Sequence, residues 1–324
     1  MNGALDVICA GILVADCVAR PVVRQPQPGR LELVDEVKLR AGGSAANTGY
    51  GLRRLGLEVG VIGRVGRDGF GAFLKGEAVR HGCDPALIIE DDEADTSASL
   101  VTVDAAGERT FLHAIGANAR LRPADLNLPA LRAAGARVLH VAGYFVLDGM
   151  QGQDGQLFAD LFALAGELGF TRSLDTVWDA TGRWERIRPV LPHTDIFCPS
   201  LSEAQGITGL VEPEEVMDRL FEWGVTGSIA LKMGPDGSLV GRRDGERHQV
   251  PAPLVRALDG TGAGDAFIAG FLAATLRGMP LDQAARIGNA FGALCVTAVG
   301  ATEGLRGWDD TLALAAAIPA GSAP

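Results

Sequence analysis

The chain has 324 residues, 47% of them hydrophobic, which is enough for one large α/β domain or two small ones and excludes global disorder. Its 29 basic and 40 acidic residues leave a net charge of −11, which argues against a general nucleic-acid-binding surface. Five scattered cysteines without a CxxC pair, no metal-like histidine spacing and no membrane-length apolar run suggest neither a disulfide framework nor a zinc site, and point to a reducing cytoplasm.

Leu5 to Gly11 is a short apolar run ending in glycine, a buried strand, and Asp16 follows it. Residues 18 to 40 are Val-rich pieces around prolines and then an alternating LELVDEVKL, an antiparallel excursion with one wet face. Gly42-Gly43 opens a helix through Arg54. Val59 to Ile62 is a strand, and Phe70 to Arg80 a helix stopped by Gly82. Ser99 to Val103 and Arg109 to His113 flank the turn signal Asp104-Ala-Ala-Gly107, a second antiparallel piece expected to pair with the first.

From Arg137 strands and helices alternate. Strands VLHVAG, FTRSLD, DIFC and SIALKMG are separated by helices near 154 to 168, 182 to 191, 201 to 207 and 213 to 223. A hairpin at Gly237 to Val250 comes next, then a glycine motif and two or three closing helices. Such alternation predicts a mostly parallel sheet with right-handed crossovers, whose ligands bind beyond the carboxyl ends of the strands. Asp16, Asp175, Ser200 to Glu203 and Gly234 all follow apolar strands and are expected to converge on one cleft.

Asp259-Gly260-Thr261-Gly262-Ala263-Gly264-Asp265 organises the rest. Its glycines precede an apolar, helix-length run that stops at Arg277-Gly278-Met279-Pro280, so they sit at a helix N-terminus. Free N–H groups there, with the positive end of the dipole, make an anion site. Asp265 would repel a bound phosphate, so its expected role is that of a general base beside a transferring phosphoryl group. A P-loop would need Gly-Lys-Ser/Thr, which does not occur, and a dinucleotide fingerprint would need Gly in place of Asp265. Ala41-Gly42-Gly43-Ser44-Ala45-Ala46-Asn47-Thr48-Gly49 is a second cluster. Asn47 is a poor helix-interior residue, and a ligand hydroxyl would account for it.

The two clusters together resemble the PfkB, or ribokinase-like, family of carbohydrate kinases over nearly the whole chain. AGGSAANTGYGLRRLG, the adjoining VIGRVGRDGFG and the later DGTGAGDAFIAGF carry the likeness. It implies a single α/β kinase domain over 1–324: a central, mostly parallel sheet flanked by helices, with a small antiparallel β lid from about 12–40 and 97–117. It implies ATP and Mg²⁺ and, in some members, K⁺. Asp265 would be the catalytic base, and backbone N–H groups of Gly262, Ala263 and Gly264 the anion hole. Asp16, Gly42, Gly43 and Asn47 would bind sugar hydroxyls, and Asp175 would reach substrate or phosphate. Lys232, Gly234, Gly237 and Asn289 would flank the nucleotide, Glu203 would help order Mg²⁺, and Asp259 and Thr261 would hold a monovalent cation. The lid would build a homodimer.

Two positions depart from the family pattern. Its Asn-x-x-Glu reads Ser200-Leu201-Ser202-Glu203, which is also a helix capping box, and position 260 is Gly where Thr is common. A serine hydrolase is excluded because Ala46 stands where Gly-x-Ser-x-Gly needs its last glycine. The remaining alternatives are a nucleoside kinase, with Phe111, Tyr144 or Phe145 as base platform, and a non-catalytic sugar or nucleotide sensor. A phosphorylated acceptor would call on Arg64 or Arg109.

Overall fold

The structure is a computed structural model that describes residues 4–24, 26–104 and 109–318. In chain order, β1 (Val7–Gly11), β2 (Val14–Arg20) and β3 (Glu36–Gly42) lead into α1 (Ser44–Arg54), β4 (Val59–Gly66), α2 (Gly69–Arg80) and β5 (Ile88–Asp91). Then come β6 (Ala98–Val103), β7 (Arg109–Ala114), α3 (Leu128–Ala133), β8 (Val138–Ala142), α4 (Asp148–Gln151), α5 (Gln156–Glu167) and β9 (Thr171–Leu174). They are followed by β10 (Ile196–Phe197), α6 (Leu201–Thr208), α7 (Pro213–Glu222), β11 (Ser228–Lys232), β12 (Ser238–Arg242) and β13 (Arg247–Val250). The chain closes with α8 (Ala263–Leu276), α9 (Leu281–Cys295) and α10 (Trp308–Ala316).

Among the described residues nine strands form the main sheet, in the order β13-β12-β11-β10-β9-β8-β1-β4-β5. All neighbours are parallel except the hairpin β11–β12–β13, whose short connections allow only antiparallel return. The interior strand β1 is apolar at every position because both its faces are covered. Val7 and Cys9 belong to one core layer, with α1, α8 and α9, and Ile8 and Ala10 to the other, with α5 and α7. The chain leaves β1 for β4 on one side and returns to β8 on the other, so the strand order reverses at β1 and opens a crevice beyond its carboxyl end.

The second, smaller sheet runs β3-β2-β6-β7; it is the one expected from the sequence to act as a lid and is called the lid below. Its outer pairs are antiparallel and its central pair β2–β6 is parallel, since each half is a separate excursion from the main sheet. Val103 pairs with Arg109, as expected around the turn signal, whose residues 105–107 lie outside the described residues, as do 319–324 at the C-terminal end.

The helix expected near 182 to 191 is not formed. Two short 3₁₀ turns, Trp184–Ile187 and Leu191–His193, stand there instead. Pro189 and Pro192 remove two backbone donors that a continuous α-helix would need. Arg186 is buried in this segment and pairs with Asp179 at 3.8 Å.

Candidate active site

Two helix starts meet over the crevice. Gly43, with φ of 93°, is the N-cap of α1, and a side chain there would overlap the Ile12 carbonyl. Gly262, with φ of 75°, is the N-cap of α8, and a Cβ on it would lie 2.6 Å from that of Ala301. No side chain caps α8. The Ala263 N–H makes a long bond to Gly260 O at 3.3 Å, and Gly264 and Asp265, in the same first turn, line the cleft.

Asp265 is held from the other cluster: Asn47 Nδ2 donates to its Oδ2 at 2.8 Å, and the Thr48 hydroxyl donates to its backbone carbonyl at 3.4 Å. Burial pushes the Asp265 carboxyl up to about 6, aided by the Glu203 charge and opposed by Asn47 and Lys232. A carboxylate poised near neutrality, inside a cleft and beside an anion-binding helix start, is equipped to take a proton.

One side of the cleft is lined by Asp16, Gly42, Gly43, Ser44, Asn47, Ser99 and Phe111. A Cβ on Gly42 would displace the Asp16 carboxylate, which lies against that position through Oδ2. Burial raises the Asp16 carboxyl, while the Ser99 hydroxyl bonds to it and opposes that rise. Among the described residues, Asn47 Oδ1 and Ser44 Oγ are buried with no hydrogen-bond partner. Such orphaned atoms are costly unless a ligand hydroxyl completes them.

On the opposite side, Lys232 Nζ meets Asp175 Oδ1 at 2.7 Å. Burial would lower the ammonium, but Asp175 and Glu203 outweigh it and hold it above its usual value. Burial raises Asp175, with Glu203 and Asp265 adding to it against Lys232. A Cβ on Gly264 would lie 3.4 Å from Lys232 Nζ, so this ammonium faces the start of α8. The resemblance grouped Lys232 with the nucleotide's flank; its charged end lies on the floor of the cleft. Glu203 closes the capping box: its Oε2 accepts from Ser200 N at 2.8 Å and from the Thr176 hydroxyl at 3.0 Å, and Ser200 Oγ accepts from Glu203 N.

Gly234 lines the same cleft, whereas Gly237 and Asn289 do not. Asn289 donates to Val250 O at 2.9 Å and Pro251 O at 3.3 Å, and Gly237 packs against the same segment. Asp259 lies below the anion-hole loop. Its Oδ1 accepts from Thr261 N at 2.9 Å, its Oδ2 from Gly300 N at 2.8 Å, and Arg109 of the lid pairs with it.

The cleft that gathers these groups measures about 500 Å³. A larger cavity of about 770 Å³ lies between the lid and Arg256–Asp259, but no residue of α1 or α8 lines it. Sequence reasoning missed Ser44 and Ser99. Ser44 stood inside a recognised motif as a small residue, and Ser99 is signalled only by its strand register opposite Asp16.

A buried carboxylate at the start of α8, facing a polar pocket in an α/β crevice, is the arrangement expected of a phosphotransferase. A family model described as pfkB family carbohydrate kinase matches residues 4–307. An uncharacterized sugar kinase of Archaeoglobus fulgidus is 28% identical over 79% of this chain and 98% of its own. A fructokinase of Klebsiella pneumoniae is 31% identical over 83% and 90%. A solved structure titled as a putative ribokinase II from E. coli in complex with ATP and Mg²⁺ superposes with a TM-score of 0.80 over 96% of this chain and 98% of its own, at 23% identity. The chain belongs to the pfkB family of carbohydrate kinases. Among the described residues, no helix is long and apolar enough to cross a membrane.

Proposed function

We propose that the protein transfers the γ-phosphoryl group of ATP to a hydroxyl of a small sugar or related polyol. The observation that carries this is the Asn47–Asp265 hydrogen bond, which ties the acceptor pocket to a base at the anion-binding start of α8. Asn47 Oδ1, Ser44 Oγ and Asp16 hold acceptor hydroxyls. Asp265 removes the proton from the hydroxyl nearest it, the freed oxygen attacks the γ-phosphorus, and the bond from phosphorus to the bridging oxygen of ADP breaks. First-turn N–H groups of α8 and the Lys232 ammonium receive the negative charge, fixed in place before the reaction starts. Lys232 is free to exchange Asp175 for phosphate oxygens as nucleotide arrives. Gly234 and the Val250–Pro251 segment, braced by Asn289 and Gly237, bound the nucleotide side.

The donor set on the phosphate side fits a hard divalent cation. Glu203, Asp175 and the Thr176 hydroxyl offer only oxygens, with the single ammonium of Lys232 against the carboxylates. Among the described residues no group of acidic, histidine or cysteine side chains is built to hold a metal alone, as suits Mg²⁺ bound chiefly by phosphates and water. Such an ion would neutralise phosphate charge, with Glu203 nearest to order it.

Phe111 is the sole aromatic among the residues lining the cleft; Tyr144 and Phe145 are buried in the core, and the Tyr144 hydroxyl is spent on Arg186 O at 2.6 Å. The pocket therefore favours a polyol over a nucleoside base. The lid covers this pocket and, through its outer apolar face, pairs two copies of the chain. Coupled ADP detection with MgATP across free pentoses, hexoses, ketoses, sugar acids and nucleosides tests the reading. Acceptor-stimulated ADP release is expected with a polyol. Tight ATP binding without such release across the panel would favour a sensor instead.

A further inference from the structure

We infer that Arg109 of the lid takes the place of a monovalent cation at Asp259, so that the anion-hole loop is fixed by the lid itself. This inference rests on the kinase reading for its effect on rate, though not for its effect on stability.

A cation does not fit the residues around Asp259. The carboxylate is 2% exposed and both its oxygens are engaged: Oδ1 by Thr261 N, Oδ2 by Gly300 N and by the Arg109 guanidinium. Of the nearby carbonyls, Thr261 O and Ala301 O lie 3.3 Å and 3.1 Å from Cys295 Sγ, whose single proton engages one of them at a time. What remains is a buried negative charge that needs one positive partner, and Arg109 supplies it. Arg109 is itself only 22% exposed, so the pair is screened far less than a surface ion pair.

The partner's origin gives the pair its consequence. Arg109 opens β7, an edge strand of the lid, on the face shared with Val101 and Phe111, the latter lining the cleft. Asp259 sits just before Gly262, the N-cap of the helix that presents the anion hole. A second lid arginine, Arg40 of β3, pairs with Glu303, in the loop that carries Gly300. The two edge strands of the lid thus grip the two loops that brace the start of α8. A free cation would fix the same loop regardless of the lid; Arg109 fixes it only when the lid is down. The anion hole is then complete only over a covered acceptor, which suppresses transfer to water.

The experiment compares wild type, Arg109→Ala and Arg109→Lys in KCl and in tetramethylammonium chloride at equal ionic strength, reading kcat and thermal melting. Wild type is expected to be indifferent to the exchange in both readouts. Arg109→Ala is expected to lose about tenfold in kcat in tetramethylammonium, to recover several-fold in K⁺, and alone to melt higher in K⁺. Arg109→Lys is expected to keep most of the rate and to ignore the salt, which separates charge replacement from a merely structural loss. Clear K⁺ activation or stabilisation of wild type overturns the inference, as does an Arg109→Ala protein that ignores K⁺ in both readouts. The melting arm needs no acceptor, so it stands even where no turnover is found.

Discussion

Asp265 is the residue on which the proposed chemistry depends, and its environment works against its charge. Its carboxyl is raised to about 6 from an ordinary value of 3.8, burial being the main cause. Below that value it carries a proton and accepts none, so kcat/KM is expected to climb with pH through about 6 and then level off. The linkage sign is the reverse of that for a salt-bridged acid. The native state holds the proton more tightly than the unfolded chain, so this group's contribution to stability is lost as pH rises from about 4 to about 6. At neutral pH the charge costs on the order of 3 kcal/mol. Asp265→Asn keeps the shape and can still accept from Asn47 Nδ2. It is expected to lower kcat by roughly 10²- to 10⁴-fold, about 3 to 5 kcal/mol of barrier, while raising the melting temperature. A variant with near-normal kcat would move the base elsewhere, with Asp16 the first carboxylate to test.

The start of α8 shows which parts of the site a sequence can reveal. Glycines at positive φ and an apolar helical run leave a direct imprint in the letters, so both helix starts were legible. The Asn47–Asp265 bond joins residues far apart in the chain, and it was expected only as a shared site, not as a contact. Lys232 was legible as a strand-end residue but not as the partner of Asp175. That pairing depends on β9, β10 and β11 lying side by side, which alternation alone does not specify. The missing helix at 182 to 191 failed for a local reason: its prolines were outweighed by the expected strand–helix rhythm. Within α8's first turn two glycines should answer differently to alanine. Gly262→Ala meets positive φ and Ala301, so it is expected to cost about 1 to 3 kcal/mol, lowering the melting temperature and the activity together. Gly264 is helical and its Cβ would meet only the movable end of Lys232 at 3.4 Å. Gly264→Ala is therefore expected to melt at or slightly above wild type while KM for ATP rises and kcat falls, because the methyl stands where phosphate approaches. Equal losses of stability in both variants would remove the distinction.

At the scale of the molecule, the lid has its faces reversed relative to a sheet that ends in water. Along β3, Lys38 and Arg40 share the face of Val18 and Asp16, while Val37 and Leu39 point the other way. The register sets Leu39, Cys17, Leu100 and Leu112 in one transverse row across all four strands. Leu112 is 68% exposed, Leu100 50% and Leu39 38%, so this apolar row lies uncovered in a single chain. Burying such side chains stabilises by about 1.5 to 3 kcal/mol each, and a row running across a sheet can pair with its own copy about a twofold axis. The two arginine pairs fasten the inner face to the body, which leaves the outer face free to serve this contact. The chain is therefore expected to sediment as a dimer at micromolar concentration. Leu100→Glu combined with Leu112→Glu would place unpaired carboxylates at the centre of the interface, each costing several kcal/mol to bury, and is expected to give a folded monomer with an unchanged melting profile for the main sheet. Wild type found as a monomer at high concentration in sedimentation equilibrium would remove the pairing through this face. It would leave the inner face untouched, because Arg109 and Arg40 bind loops of their own chain.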